Sequence, residues 1–516
     1  MTIVIDQFRY DYLQRYEKLF VKDGFKLLMD HGAFMTLARY NYIPTVTGPG
    51  HSAISSGTTP SVDGIIGDDW YDRQTGERMY CFEDTTVKTV GAEDNSGMSS
   101  PRNFIGSTFA DQLRLSDNFK SKVVGISVKD RAAIPLAGKK PSGAYWFDPQ
   151  SGNFVTSTYY TEKLPGWVKA FNNRKEAKGY LGRKWKRILP DRDYDISDVD
   201  AGHGEGHLPG EDKSTFPHTI RDLRGVPHEV RFGAFLASPF ANQLTVDFAK
   251  AAVVAEKLGQ GSHTDFLGIS FSADDFVGHM FGPYSQEVED LTLRLDRQLA
   301  DFFDFLNKEV GLKNVVIVLT GDHGVAPNPE YSEFAGINAR RLDGREFMNE
   351  MERKLEEKYG VGKYILDFDN GQFYFDFRTI DAKGIPHSAV ENFVGREALK
   401  MRVGEFYYTR ENLLKGEAPG LAGKLVLNGF NPWRSGDVVV VPKPFDFFAE
   451  NATGTTHGSP WDYDTHVPIL FYGSMIKPGK YSGPVYVTDI APTLCSILGI
   501  EEPSGCTGRP MTGIIR

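Results

Sequence analysis

Three apolar, strand-like segments of this sequence end in residues that can bind a metal ion. The segments and the residues that follow them are 2–5 with Asp6, 266–271 with Asp275 and His279, and 314–319 with Asp322 and His323. In open α/β sheets, ligands bind beyond the carboxyl ends of the strands. Carboxylate oxygen and imidazole nitrogen are ligands that suit zinc. The pattern therefore predicts a metal site at one edge of a sheet.

The spacing of these residues limits how they can share an ion. Asp275 and His279 are four positions apart, so a helical turn would place both side chains on one face. Asp322 and His323 point to opposite sides of an extended backbone, so they could serve two ions, or one ion and its neighbour. The later histidines that could complete the set are His457 and His466.

A loop that carries hydroxyl groups precedes a predicted helix at 52–56. Its sequence is Thr45-Val46-Thr47-Gly48-Pro49-Gly50-His51-Ser52. Free backbone N–H groups and the helix dipole would hold an anion there, and the glycines let the backbone approach a ligand. Thr47 is a better nucleophile candidate than Thr45 because it is the last residue before the glycines. Two metal ions beside a hydroxyl indicate phosphoryl transfer.

Two cations, Lys129 and Arg131, follow the apolar segment 121–128. In an extended backbone they would point to the same side, where both could hold phosphate oxygens. Considered alone, they would be interpreted as solvated surface charge. The metal-binding pattern and the hydroxyl loop favour the functional interpretation.

The hydrophobic pattern predicts alternating strands and helices that would position these residues. The predicted strands are 2–5, 33–38, 121–128, 266–271, 314–319, 438–441, 467–472 and 485–487. The predicted helices are 8–29, 52–56, 107–115, 242–258, 285–310, 345–359, 389–401 and 489–498. Such alternation is typical of an α/β fold with a mostly parallel sheet and helices on both faces.

Two stretches interrupt this alternation and are predicted to be inserted caps. The first, 132–233, is rich in Gly, Pro, His and charge, and it contains a hairpin signature around 148–152. The second, 342–428, contains a hairpin that turns at Asp369-Asn370-Gly371. The core would then consist of residues 1–131, 234–341 and 429–516.

Composition limits the partners and the compartment. The 516 residues carry a formal net charge of −10, which gives no general attraction to nucleic acid or to an anionic membrane. No apolar run has membrane-spanning length. No signal peptide is present, although the chain opens inside a predicted strand, as a processed or truncated export precursor would. For Cys495 and Cys506 we favour a local disulfide, which implies an oxidising compartment, over two reduced thiols.

Five motifs together resemble the alkaline phosphatase superfamily. They are Thr47-Gly48-Pro49-Gly50-His51, Asp275-Phe276-Val277-Gly278-His279, Gly321-Asp322-His323-Gly324, Thr456-His457-Gly458-Ser459-Pro460 and Asp489-Ile490-Ala491-Pro492-Thr493-Leu494. The motifs extend nearly end to end, and they are most similar to the phosphodiesterase/nucleotide pyrophosphatase-like branch with a threonine nucleophile. The segment Val128-Lys129-Asp130-Arg131 resembles the Lys-x-Arg signature of the threonine-type alkaline phosphatases, which are periplasmic monoesterases.

The resemblance implies a role for each candidate residue at a site with two Zn²⁺ ions. One zinc ion would be surrounded by Asp6, Thr47, Asp322 and His323. The other would be held by Asp275, His279 and His457. The residues that would contact the non-bridging phosphate oxygens are Lys129 and Arg131. The histidines that would lie behind the metal ligands are His51 and His466.

One position departs from the family pattern. Relatives carry an asparagine where Asp68 stands, and the asparagine amide donates to a phosphate oxygen. A carboxylate has no N–H to donate, and it would repel a phosphate dianion unless it is protonated or paired with Lys129, Arg131 or metal. The change indicates a natural variant, an engineered substitution or a different substrate preference.

The resemblance therefore implies a zinc-dependent alkaline phosphatase that hydrolyses phosphate monoesters through a phospho-threonine intermediate and releases inorganic phosphate. The alternative on the same fold is a phosphodiesterase or nucleotide pyrophosphatase. The alternative from another class is a non-catalytic, zinc-dependent binding protein. We expect a periplasmic or secreted protein whose signal peptide has been removed, and a monomer or weak oligomer with no nucleic-acid or membrane partner.

Overall fold

The computed structural model, which describes residues 1–449 and 451–516, contains a ten-stranded mixed sheet. In spatial order its strands are Gly479–Tyr481, Ala33–Met35, Ile469–Tyr472, Ile317–Gly321, Thr2–Ile5, Phe266–Phe271, Val123–Ile126, Gly143–Asp148, Asn153–Ser157 and Thr89–Val90. The strands from Ile317–Gly321 to Gly143–Asp148 run parallel to one another. Antiparallel pairs continue the sheet on both sides. The predicted fold class is confirmed.

The strand Thr2–Ile5 lies at the centre of this sheet, and all its residues are buried. Ile3 is in register with Ile269 on one side and with Leu319 on the other. Ile3 packs into the core on one face of the sheet, whereas Val4 packs into the core on the other face. A continuous apolar strand is what a parallel sheet covered on both faces requires.

Helices cover both faces of the sheet. On the face of Ile3 they are Tyr10–Arg15, Phe25–His31, Gly166–Asn173, Glu176–Tyr180, Gly233–Leu236, Pro239–Glu256, Ala273–Phe281 and Gln286–Glu309. On the face of Val4 they are Thr47–Ser56, Phe109–Ser116, Asp130–Ala137 and Ile490–Leu498. Shorter helices are Pro60–Asp63, Pro329–Phe334 and Asp462–Thr465. One-turn 3₁₀ helices are Glu17–Leu19, Pro101–Asn103, Asp191–Asp193, Leu312–Asn314, Val487–Asp489 and Thr512–Ile514.

The second predicted insertion forms a body with its own hydrophobic core. Its antiparallel sheet contains, in order, Ile365–Asp369, Gln372–Phe375, Val438–Pro442 and Gly404–Thr409. Its helices are Gly344–Tyr359, Phe377–Ala382, His387–Lys400, Arg410–Leu414 and Gly420–Gly429. The strand predicted at 438–441 for the main core belongs to this smaller sheet, because Val438 pairs with Phe373 and Thr409. The inserted body therefore continues beyond 428.

The first predicted insertion also needs a corrected boundary. Its first part, expected to begin the cap at 132, continues the core through strands Gly143–Asp148 and Asn153–Ser157 of the main sheet. Ala144 pairs with Gly125, which extends the parallel ladder by one strand. The remainder carries a short strand pair, Lys184–Trp185 with His218–Thr219. Other short pairs are Asp69–Asp72 with Glu77–Tyr80, Arg341–Leu342 with Phe447–Phe448, and Ala38–Arg39 with Val485–Tyr486.

The helix predicted at 8–29 is interrupted for a physical reason. The Asp296 carboxylate accepts hydrogen bonds from the backbone N–H groups of Val21 and Phe25, at 2.6 and 2.8 Å. These bonds fix the segment between helices Tyr10–Arg15 and Phe25–His31, and they cap the second of these helices. The strand predicted at 33–38 is likewise divided, because Ala38 leaves the main sheet to pair with Val485.

The cysteine prediction is wrong in this structure. Cys81, Cys495 and Cys506 are all free thiols, so the favoured Cys495–Cys506 disulfide is not formed. Burial raises the pKa of the Cys495 thiol to about 12. Within the described residues, every helix is too short or too polar to span a bilayer.

Candidate active site

The predicted metal-binding residues meet at the carboxyl edge of the main sheet. Strand Thr2–Ile5 lies between strands Phe266–Phe271 and Ile317–Gly321, so the chain leaves all three at neighbouring points. The helix Ala273–Phe281 begins there. The side chains brought together are Asp6, Asp275, His279, Asp322 and His323, joined by His457 from the carboxyl-terminal part of the chain.

Asp6, Asp322 and His323 form the first of two groups suited to a metal ion. His323 Nε2 lies 3.5 Å from both Asp6 Oδ1 and Asp322 Oδ2, and all three side chains are fully buried. His323 Nε2, Asp322 Oδ2 and Asp6 Oδ1 have no hydrogen-bond partner among the described residues, and Asp6 Oδ2 has only an ion pair with the Lys129 ammonium. Burial and the neighbouring His457 lower the pKa of His323 well below its usual value, which keeps the ring neutral.

Asp275, His279 and His457 form the second group. Asp275 Oδ1 lies 3.2 Å from His279 Nε2 and 3.5 Å from His457 Nε2. The two Nε2 atoms are 3.2 Å apart. The helical turn predicted from the four-residue spacing places Asp275 and His279 side by side.

The ring orientation of the three histidines is set by backbone carbonyl groups. The pairs are His323 Nδ1 with Gly324 O at 2.9 Å, His279 Nδ1 with Thr455 O at 2.8 Å, and His457 Nδ1 with Thr45 O at 2.7 Å. A carbonyl only accepts, so each Nδ1 carries the proton and each Nε2 presents a lone pair. Such carbonyl partners are the usual orienting contacts of histidine ligands.

These donor sets fit metal ions. Buried carboxylate oxygens without partners cost free energy, and facing imidazole lone pairs repel each other. A cation within each group would satisfy both. The oxygen and nitrogen ligands are those that zinc accepts.

Thr47 and Lys129 lie between the two groups. Thr47 is the first residue of the helix Thr47–Ser56, which begins earlier than the predicted 52. Lys129 Nζ lies 3.4 Å from Thr47 Oγ1 and 2.6 Å from one carboxylate oxygen of each group, Asp6 Oδ2 and Asp275 Oδ2. Burial disfavours the ammonium ion, but Asp275 and Asp6 outweigh this and raise the pKa of Lys129. The lysine therefore stays charged beside the hydroxyl.

Arg131 and Asp68 form an ion pair beside the start of the helix that carries Thr47. Arg131 Nε lies 3.0 Å from Asp68 Oδ2. The backbone N–H of Gly48, next to Thr47, donates to Asp68 Oδ1 at 2.6 Å. Asp68 therefore engages two groups that could otherwise donate to an anion at Thr47.

The local backbone differs from two expectations. The chain does not continue as a strand through Lys129 and Arg131, because helix Asp130–Ala137 begins between them and Lys129 is its N-terminal cap residue. The two cations consequently reach different partners. Gly50 does not face a ligand, since a Cβ there would lie 2.4 Å from the Asp322 carbonyl oxygen. Gly50 instead allows the helix to pack against the Asp322 backbone.

Gln7 is a site residue that the sequence analysis missed. Its Nε2 donates to Asp275 Oδ1 at 2.8 Å, and its backbone N–H donates to Asp322 Oδ1 at 2.9 Å. Gln7 therefore connects the two groups. Its backbone has φ 60°, a left-handed conformation that is uncommon for glutamine. The only clue in the sequence is its position directly after Asp6.

His51 and His466 lie outside both groups. His51 Nδ1 contacts the Thr47 carbonyl oxygen at 3.0 Å, and Nε2 contacts Ser270 Oγ at 2.8 Å, so both ring nitrogens are engaged. Burial lowers the pKa of His51 to about 4. His466 stacks on Tyr10 with the ring centroids 4.2 Å apart.

A comparison with protein families identifies the family of the chain. The family model described as type I phosphodiesterase / nucleotide pyrophosphatase matches residues 1–461. The chain belongs to this family.

Relatives within this family match nearly the whole chain. Alkaline phosphatase PafA of Elizabethkingia meningoseptica is 40% identical over 519 residues, which cover 99% of this chain and 93% of that protein. Alkaline phosphatase PhoV of Synechococcus elongatus is 37% identical, and the match covers 100% of this chain and 92% of PhoV. A Myroides odoratus protein named calcium-transporting ATPase is 38% identical, and the match covers 99% of this chain and 93% of that protein.

Solved structures agree with these relatives. The crystal structure of wild-type PafA matches with a TM-score of 0.96 at 39% identity, covering 100% of this chain and 98% of that chain. The structure of a PafA variant also matches, with a TM-score of 0.94 at 39% identity, and it covers 100% of this chain and 98% of that chain. In this variant a threonine, an asparagine, a lysine and an arginine are replaced. The predicted family and fold are confirmed, and so is the predicted enzyme class, a phosphoric monoester hydrolase.

Proposed function

We propose that this protein is a zinc-dependent alkaline phosphatase that hydrolyses phosphate monoesters through a phospho-threonine intermediate. The observation that carries the proposal is the position of Lys129, whose ammonium contacts Thr47 Oγ1 and one carboxylate of each metal-binding group. A single cation thus links the candidate nucleophile to both groups. The names of the PafA and PhoV relatives support phosphate ester hydrolysis.

Thr47 Oγ would attack the phosphorus atom and form the phospho-threonine bond as the alcohol leaves. Lys129 and Arg131 would hold non-bridging oxygens and balance the charge that develops there. The helix that begins at Thr47 directs its free N–H groups and its positive dipole end towards the same place. Water would then cleave the phospho-threonine bond and release inorganic phosphate. When bound, the two ions would favour ionisation of the attacking hydroxyl and neutralise the leaving oxygen.

The ligand spacing supports two zinc ions. Zinc bonds of about 2.0–2.1 Å in a tetrahedral arrangement place ligand atoms about 3.3–3.4 Å apart. The separations in the second group are 3.2, 3.2 and 3.5 Å. Those from His323 Nε2 in the first group are 3.5 Å. We assign Asp6, Thr47, Asp322 and His323 to one ion, and Asp275, His279 and His457 to the other.

The substituted PafA variant supports the substrate-binding assignment. The asparagine replaced there follows the threonine by the same number of residues as Asp68 follows Thr47. The replaced lysine and arginine are two positions apart, as Lys129 and Arg131 are. We infer that Asp68, Lys129 and Arg131 line the phosphate site.

Replacement of Thr47 tests the proposal. Thr47→Ala should abolish hydrolysis of an aryl phosphate monoester while zinc content, measured by atomic emission, stays close to two ions per chain. Thr47→Ser keeps a hydroxyl and should retain part of the activity. A comparison of a monoester with a diester of the same leaving group should favour the monoester. Substantial turnover by the alanine variant, or faster diester cleavage, would contradict the assignment.

Compartment and assembly complete the proposal. We infer an enzyme that works in the periplasm or outside the cell, as the family resemblance implies, and that is a monomer or weak oligomer. Activity measured in fractionated cells of the source organism and light scattering after size exclusion would check these two points. Activity confined to the cytosolic fraction, or a stable large oligomer, would overturn them.

A further inference from the structure

A cavity of about 730 Å³ opens beside the second metal-binding group. Its lining includes His279 and His457 together with residues of the inserted body that carries strands Ile365–Asp369 and Gln372–Phe375. Asn370 lies at the turn between these strands, with φ 47°. The hairpin therefore places an amide side chain at the mouth of the candidate active site.

The surroundings of Asn370 locate its amide closely. The Asn370 amide lies next to two glycines, Gly67 and Gly458. If each glycine carried a β-carbon, that atom would lie 3.4 Å from Asn370 Nδ2 at Gly67 and 4.0 Å from Asn370 Oδ1 at Gly458. Gly67 precedes Asp68, and Gly458 follows His457. The amide is thus held between the segment that carries Asp68 and the segment that carries a metal-binding histidine.

The same amide is oriented by its neighbours. Asn370 Nδ2 donates to Asp369 Oδ2 at 2.7 Å. Asp369 Oδ1 lies 2.9 Å from Arg78 Nη2, and Arg78 Nε donates to Asp367 at 2.9 Å. An amide nitrogen has two N–H groups, so one remains for a further acceptor.

On the side of Asp68, the proposed phosphate site lacks a hydrogen-bond donor. Asp68 stands where an amide is expected, and it accepts a hydrogen bond from the Gly48 N–H and forms an ion pair with Arg131. A phosphate oxygen on this side would meet a carboxylate instead of an N–H group. The Asn370 amide lies beside Gly67, the residue before Asp68, and has one N–H group left for an acceptor.

We propose that Asn370 donates a hydrogen bond to the bound phosphate ester and so replaces the amide that position 68 does not provide. This inference rests on the proposed phosphomonoesterase function. It makes the hairpin of the inserted body part of the substrate-binding site, with an oxygen of the phosphate group as the acceptor.

A double-mutant cycle tests the inference. Asn370→Gly removes the amide and keeps the left-handed backbone that glycine accepts. It should lower kcat/KM for an aryl phosphate at least about 10-fold, the loss expected for one hydrogen bond to a charged acceptor. In the Asp68→Asn background the same change should cost less than about 3-fold, because the asparagine amide supplies the donor.

Controls separate the possible outcomes. Asn118→Gly makes the same change at another exposed residue with positive φ, at the opposite edge of the sheet, and should leave kcat/KM unchanged. Asn370→Asp keeps the side-chain shape without the donor and should lose at least as much activity as Asn370→Gly. Equal losses from Asn370→Gly in both backgrounds, or no loss in either, would overturn the inference while the proposed function stands. A wild-type enzyme without monoester turnover would overturn both.

Discussion

Replacing Asp68 by asparagine should make this enzyme a better phosphatase. Asp68 Oδ1 accepts from the Gly48 N–H at 2.6 Å, and Asp68 Oδ2 lies 3.0 Å from Arg131 Nε. A phosphate dianion at Thr47 must compete with this carboxylate for both groups. Asparagine keeps an oxygen for the Gly48 N–H, removes the negative charge and adds an N–H donor.

The magnitude follows from three contributions. Two unit charges about 5 Å apart repel by about 3 kcal/mol at an effective dielectric constant of about 20, and Arg131 cancels part of this repulsion in the wild type. A new hydrogen bond to a charged oxygen contributes about 1.5–3 kcal/mol. The lost pair with Arg131 is about a quarter exposed on both sides, so its loss costs at most about 1 kcal/mol. Because Arg131 and the lost pair together offset most of the relieved repulsion, the net gain is about 1.5–3 kcal/mol.

The assay is kcat/KM for an aryl phosphate monoester at matched zinc content. Asp68→Asn should raise it about 10- to 150-fold, the factor that corresponds to one charge-assisted hydrogen bond. Inhibition by inorganic phosphate should strengthen in parallel. Asp69→Asn makes the same chemical change at the adjacent position and should alter kcat/KM by less than about 3-fold. Unchanged or lower activity of Asp68→Asn would show that this side chain does not lie against the phosphate.

Two further predictions concern the supports of the site. In Gln7→Asn, asparagine accepts the left-handed backbone but its side chain is too short to reach Asp275. Zinc retention against a chelator, or kcat/KM, should therefore fall about 10- to 100-fold. Full retention of both would refute the bridging role of Gln7. Burial raises the pKa of Asp63 to about 7. Between about pH 4 and pH 7 the folded chain therefore keeps a proton that the unfolded chain releases. The stability of the fold consequently falls as the pH rises from about 4 to about 7. Asp63→Asn should remove this pH-dependent loss of stability, which amounts to about 1.4 kcal/mol per unit of pKa shift. The measurement is urea unfolding of the variant and of wild type at pH 5 and 7.5. A stability difference between the two proteins that does not change with pH would contradict the prediction.

Much of the grouping of these carboxylate and histidine side chains was accessible from the sequence because strand ends are easy to recognise. The apolar runs before Asp6, Asp275 and Asp322 mark buried parallel strands, and the chain must leave such strands at one edge. The four-residue spacing of Asp275 and His279 fixed their common face without further information.

What the sequence did not predict depends on contacts between distant segments. The role of Gln7 requires a positive φ, and side-chain identity alone does not indicate one. The turn at Asn370 was recognised as a hairpin, but its position beside Gly458 depends on how the inserted body docks. Strands Gly143–Asp148 and Asn153–Ser157 were placed in a cap because loops rich in glycine and charge follow them.

The central position of strand Thr2–Ile5 affects how the protein is made. Its neighbour Phe266–Phe271 pairs Gly268 with Thr2, so the ribosome must add more than half of the chain before this ladder can close. At about 5–20 residues per second, the wait lasts tens of seconds. During that time an apolar strand has two unpaired edges, which is the condition that favours aggregation of nascent chains. We therefore expect this strand to need protection from other chains until residues 266–271 are available to pair with it.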